Sequence, residues 1–145
     1  MSDQTSTTVA LRAWAEGRYD LEATVELLSR AHDGRLARPQ HPWVVADGQS
    51  AWIDPAAING HNTGMLSGGE RRLLAFTAAL LEKRPVCLGD LALVDRATLE
   101  LMLCALVHAG GSHGATSGAQ ALLGESQSFQ LGQTASLHPW PQSRP

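Results

Sequence analysis

The sequence predicts a mainly α-helical fold. It reads as a small helical domain over residues 8–110 that carries a short β-hairpin, followed by a disordered C-terminal tail over residues 111–145. Three observations carry this reading. Aromatic residues make up only 5% of the chain, so leucine and alanine, both good helix formers, must supply the core. Apolar residues recur at helical spacing in four segments. Glycine, proline, serine and aspartate stand where those segments begin and end. A chain of 145 residues suits one domain with a tail.

Residues 1–7 are polar and are expected to fray. A first helix fits residues 8–16, with Leu11, Trp14 and Ala15 on one side and Gly17 as its end. Asp20 is a suitable N-cap for a second helix over residues 21–32. There Leu21, Val25 and Leu28 form an i, i+4, i+7 stripe, and Glu26 and Arg30 pair on the wet side. Gly34 is the expected stop. Residues 33–42 hold two prolines and read as a loop. Residues 43–46 and 51–53 read as two strands joined at Asp47-Gly48. Such a hairpin must lie on the helices, with Trp43 and Trp52 as anchors. Asp54 caps a single helical turn with Pro55 at its first position, and residues 59–64 read as a loop.

Ser67-Gly68-Gly69-Glu70 has the form of a capping box and begins the main helix. Leu73, Phe76 and Leu80 form one stripe, and Leu74, Ala78 and Leu81 an adjacent one. Lys83 and Arg84 suit the negative end of that helix, and Pro85 stops it. Val86-Cys87-Leu88 is a linker or strand, and Asp90 and Asp95 are both eligible N-caps. The last helix, residues 95–109, is expected to be the most buried element. Between Leu99 and Ala109 its only acid is Glu100 and its only basic group His108, so it either lies at the centre or is covered by a partner. Gly110-Gly111 ends it. Beyond Ser112 the only charges are Glu125 and Arg144, a composition of disorder. Leu122-Leu123, Phe129-Gln130-Leu131 and Pro139-Trp140-Pro141 have the form of short docking motifs, but a passive tail is the expectation.

The net charge of −3 gives no general attraction to nucleic acid or anionic lipid. Cys87 and Cys104 are expected to be buried thiols, and there is no C-x-x-C pair. The N-terminal residues lack a signal-peptide h-region. No apolar run approaches the ~20 residues that span a bilayer. A cytoplasmic protein without membrane association is expected.

Leu66-Ser67-Gly68-Gly69-Glu70-Arg71-Arg72 resembles the signature segment of ABC-type ATPases. In that family a Ser-Gly-Gly turn at a helix N-terminus contacts the γ-phosphate bound on the opposite subunit. Asp90 stands at about the spacing of that family's Walker B aspartate, and Asp95 near that of its D-loop aspartate. The resemblance covers about a third of the chain. The departures are a missing P-loop, since the single lysine, Lys83, comes after the signature, and Leu91 where a catalytic glutamate would stand. Helix capping is a sufficient cause for the segment. An anion or nucleotide site built from Ser67, Gly68, Gly69, Arg71 and Arg72 remains as one reading; the other has Glu70 filling that site itself.

Residues 8–32 also have helix-turn-helix proportions, with residues 43–53 as a wing. The exposed side of the would-be recognition helix offers Glu22 and Glu26, which repel phosphates. Basic residues gather just after it, at Arg30, Arg35 and Arg38 beside His32 and His41, and these would carry a nucleic-acid-binding role. Six histidines at unrelated spacings give a weak metal signal. His61 lacks a nuclease frame. His108 and His113 are separated by a Gly-Gly helix end and so do not share a helical face. No metal or cofactor is expected, and Asp54, Asp90 and Asp95 each have a structural task.

The segments AWAEGRYDLEATVELL, AWID, LSGGERRLL, LVDR and VHAGG, in this order, resemble small proteins of GC-rich actinobacteria and their phages over about residues 10–113. That resemblance implies an architecture and no activity. The near-exclusive use of arginine over lysine agrees with it. The leading expectation is a non-enzymatic protein-interaction or regulatory protein that uses the 95–109 helix for homo-oligomerisation or for docking on another protein. A nucleic-acid-binding regulator and an anion-binding protein are the alternatives.

Overall fold

A computed structural model of the chain describes residues 2–114 and 136–142. Helix α1 (Ser2–Ala15) begins six residues before the expected start. Its polar first turns are held by tertiary contacts: Thr7 is buried, and the Gln4 side chain reaches Gly34. Gly17, at φ +84°, ends the helix. Arg18 is extended, so helical geometry resumes at Tyr19 and helix α2 runs Tyr19–Arg30. Asp20 therefore lies inside the first turn, paired with Arg18 at 3.2 Å, and is not the N-cap expected of it.

Helix α2 is the centre of the domain. It buries Leu21, Ala23, Thr24, Val25, Leu27 and Leu28, and it packs against α1 and against two later helices, α4 (Gly68–Glu82) and α6 (Arg96–Ala109). Small Ala23 and Thr24, both without exposed surface, widen the buried stripe beyond the predicted leucines and valine.

The helix stops at Arg30, short of the expected His32. His32, Asp33 and Gly34 then take three consecutive left-handed conformations, φ 49°, 57° and 70°. For the two non-glycine residues this costs on the order of 1–2 kcal/mol each. A Cβ on Gly34 would stand 3.0 Å from the Ser29 carbonyl oxygen. The expected loop is thus a wound segment, with a 3₁₀ stretch over Ala31–Ala37. It wraps Trp43, which has no exposed surface and donates its indole N–H to the Leu36 carbonyl at 2.8 Å.

Strands β1 (Val44–Asp47) and β2 (Ser50–Ile53) pair antiparallel, from Val44↔Ile53 to Asp47↔Ser50. The two-residue loop is Gly48-Gln49, one position later than expected, and Gly48 supplies a positive φ. Val44, Ala51 and Ile53 face inward and the hairpin lies on α1. Trp43 anchors it from just outside β1, while Trp52 is only half-buried. A 3₁₀ turn, Pro55–Ala57, has the expected Asp54 cap. Helix α3 (Gly60–Thr63), capped by Asn59, forms within the predicted loop.

Helix α4 buries Leu73, Leu74 and Phe76, and Lys83 closes it in a left-handed conformation. Helix α5 (Leu88–Leu91) comes after an extended linker, with Cys87 at its N-cap position and Asp90 inside it rather than capping it. Cys87 is exposed, against the expectation of two buried thiols, because the linker runs over the surface; Cys104 is buried as expected. Asp95 caps α6, accepting from the Thr98 N–H at 3.0 Å and the Thr98 hydroxyl at 2.7 Å. That pair of bonds holds the Asp95 carboxyl below its ordinary range.

Helix α6 is not the most buried element. It turns Thr98, Met102, Cys104 and Ala105 inward, while Leu103 and Leu106 are 47% and 53% exposed. Residues 136–142 lie back against the body. Trp140 packs on the core, and Arg30 sits over its ring at 5.2 Å and donates to the Pro141 carbonyl at 3.2 Å. Pro139-Trp140-Pro141 is thus in contact with the domain, in contrast to the passive tail that composition suggests. Leu122-Leu123, Phe129-Gln130-Leu131 and the remainder of the expected disordered stretch lie outside the described residues. Among the described residues, no helix is long and apolar enough to cross a membrane.

Candidate functional site

The segment Ser67–Arg72 forms a complete capping box. The Ser67 hydroxyl accepts the Glu70 N–H at 3.3 Å, and Glu70 Oε2 accepts the Ser67 N–H at 2.9 Å. Glu70 is buried at 4% exposure and forms an ion pair with Arg35. Burial alone would raise its carboxyl. The bonds from the Ser67 backbone and side chain, with the Arg35 guanidinium, overcome that and hold it below the ordinary carboxylate range. The reading in which Glu70 fills its own helix end therefore has direct geometric support. Arg72 folds back over the first turn, its Nη1 standing 3.0 Å from where a Cβ on Gly68 would lie. Arg71 and Arg72 line a cleft of about 400 Å³ with Gly68 and Asp90, so this cleft brings a carboxylate as well as two cations.

The basic residues after α2 are not a free patch. Arg30 meets Glu26 at 2.9 Å and the Pro141 carbonyl; Arg35 meets Glu70. The Arg38 Nε is shielded from solvent and has no hydrogen-bond partner. Glu26 also accepts from Arg12 at 2.7 Å. His41 stacks on Trp43 at 4.4 Å and its Nε2 is 3.1 Å from the Arg35 carbonyl. Burial pushes its pKa down despite that bond. Arg35, Glu70, His41 and Trp43 thus tie the wound segment to the start of α4.

A second cluster forms where α2 and α6 meet, and sequence spacing does not reveal it. The chain leaves α6 through Gly110 and Gly111, the latter at φ +72°. A Cβ on Gly111 would stand 3.0 Å from the Tyr19 ring, so only glycine fits there. This turn folds the next 3₁₀ stretch, Ser112–Gly114, back onto the helix it has just left. His113 consequently stacks on His108, ring centroids 4.3 Å apart and planes at 21°. As expected, the two histidines share no helical face; the reversal superposes them instead.

Tyr19 meets both rings edge-on, at 5.9 Å and 4.6 Å. Glu22 reaches up from α2, its Oε2 lying 3.0 Å from His108 Nε2. The other carboxylate oxygen of Glu22 accepts the Gly17 N–H at 3.3 Å. The sequence presents Glu22 as an exposed acid that repels phosphates; in the fold it is half-buried and committed to a histidine. The one available signal is the i, i+5 histidine pair straddling two glycines, which carries meaning only once the turn is known. No protein-family model matches this chain, and neither a curated protein nor a solved structure gives a significant match.

Proposed function

We propose that this chain is a non-enzymatic interaction or regulatory protein of the cytoplasm, which self-associates or docks on another protein through the outer face of α6. The observation that carries this reading is the exposure of Leu103 and Leu106, 47% and 53%. They lie one turn apart and continue a stripe that begins at the partly buried Leu99. The inward stripe of Thr98, Met102 and Ala105 already fills the core side of the helix. Leu103 and Leu106 lie about 100° round the helix from that stripe, and half of each side chain stays in water in the isolated domain. Covering the exposed half of each would contribute about 1 kcal/mol.

Light scattering across a concentration series, with the full chain and with a Leu103→Asp/Leu106→Asp double variant, tests the reading. The expected result is association by the parent chain that the variant loses while keeping its helical circular dichroism. A partner retained from source-cell lysate by the parent and released by the variant would serve equally. A parent chain that stays monomeric throughout and holds no partner that the variant loses would overturn it.

A further inference from the structure

We propose that Glu22, His108 and His113 form a binding site for one divalent transition-metal ion of the zinc class. One ligand atom from each of the three side chains lies within 4.8 Å of the other two. Ligands held at about 2.1 Å around a tetrahedral ion stand about 3.4 Å apart. Binding requires one imidazole to turn out of its near-parallel stack with the other, so that both in-plane lone pairs meet at the ion, and the ligands come from three separate segments: α2, α6 and the turn after α6.

Three features of the cluster point to an ion rather than to packing alone. The first is His113, whose Nδ1 is shielded from solvent and lacks a hydrogen-bond partner among the described residues. A shielded polar nitrogen left without a partner is costly, and a metal ion would satisfy it. The second is Glu22. Its carboxylate is already oriented, with Oε1 held by the Gly17 N–H and Oε2 aimed at His108. Metal-binding carboxylates are commonly fixed in this way by a second contact. The Glu22–His108 pair accounts for two of the three groups without a metal, and stacking places the His113 ring, but neither gives the His113 Nδ1 a partner. The third is the rigid surround. Tyr19 packs against the edges of both rings, and Trp140 lies 6.2 Å from His108.

The donor set names the class of ion. Two imidazole nitrogens with one carboxylate suit zinc, cobalt, nickel or ferrous iron, while calcium and magnesium prefer oxygen ligands throughout. Three protein ligands leave a fourth position for water or a ligand atom. The three residues line a cleft of about 460 Å³ together with Arg12, Glu16 and Tyr19, so a small molecule has access to that position. The inference is independent of docking through the outer face of α6, because its ligands lie where α6 meets α2.

The full-length chain is titrated with Co²⁺, monitored in the visible d–d bands, and the cobalt is then displaced with Zn²⁺. One ion per chain is expected, with intense bands that report four-coordinate geometry. Zn²⁺ is also expected to raise the melting temperature. His113→Gln and Glu22→Gln should each weaken binding by more than about 100-fold, since loss of an outer-shell partner alone costs 10–100-fold. Cys87→Ser and His61→Ala serve as controls and should leave binding in place. The near-isosteric Glu22→Gln keeps the test valid should His113→Gln disturb the turn, and circular dichroism monitors each fold. An absence of binding by the parent chain, or binding that persists in both ligand variants, overturns the proposal.

Discussion

Helices α2 and α6 pack against each other, yet their leucines have opposite fates. In α2 every leucine is buried: Leu21 at 7% exposure, Leu27 and Leu28 at zero. In α6, by far the more apolar segment by sequence, Leu103 and Leu106 stand half in solvent. Burial here is set by position in the chain path rather than by apolar content. Helix α2 is contacted by α1 on one side, α4 on another and α6 on a third, and small Ala23 and Thr24 let those neighbours close in. Helix α6 is covered by α2 and α4 on its inner side and by residues 136–142 at Cys104 and His108, which leaves Leu103 and Leu106 half in solvent. What distinguishes α6 is therefore a surplus of apolar side chains beyond what its own fold uses.

The largest effect is expected at Leu27. It has no exposed surface and faces a core that its neighbours fill. Leu27→Ala should lower stability by about 2–5 kcal/mol, the range for a buried leucine whose cavity cannot collapse. Urea unfolding monitored by circular dichroism measures this directly. A loss under about 1 kcal/mol would mean that α2 is not the centre of the packing.

Much of this fold is legible in the sequence. The stripe of Leu21, Val25 and Leu28, the Asp54 and Asp95 caps, the capping box at Ser67 and the hairpin around Gly48 all rest on local chemistry that a short window displays. The misreadings share a different cause. Helix α1 starts early because Thr7 is buried by distant residues, and no local signal reports that. The left-handed run at His32, Asp33 and Gly34 lies between the end of α2 and the segment bonded by Trp43, and two of its residues are not glycine, so a short window reads it as an ordinary loop. The histidine cluster is obscured for the same reason. His108 and His113 are superposed by a glycine reversal at Gly110-Gly111 that packs on Tyr19, a residue from the start of α2. Sequence spacing measures separation along a helix and cannot register a chain that doubles back.

A middle-sized effect separates the charged side of α2 and α4 from their leucines. Glu26 and Glu70 are both held below their ordinary value of 4.5, and His41 below its ordinary 6.5. For Glu26, burial works against the shift, and the bonds and charges of Arg12 and Arg30 prevail. In each case the unfolded chain binds protons that the folded chain resists, so stability must fall as pH falls. The loss begins below about pH 6.5 with His41 and steepens below about pH 4.5 as the unfolded carboxylates protonate. Glu70→Gln should cost about 1–3 kcal/mol near neutrality by removing the charge paired with Arg35, while its amide oxygen can still accept the Ser67 N–H. It should also flatten the acid limb. An acid limb unchanged in Glu70→Gln would remove Glu70 from the account.

The smallest effect falls on the exposed leucines, and it sharpens the comparison most. At concentrations too low for association, Leu103→Ala removes a side chain that is 47% exposed, and it should lower stability by about 1 kcal/mol. Leu27→Ala, also a leucine truncated on a helix, should cost several times as much under the same conditions. If association is then allowed by raising the concentration, the parent chain gains stability by mass action and Leu103→Ala gains less. A concentration-dependent gap between the two would place the value of Leu103 in the contact rather than in the fold. A large loss already at high dilution would instead mean that this side chain stabilises the domain itself, and α6 would then differ from α2 in degree and not in role.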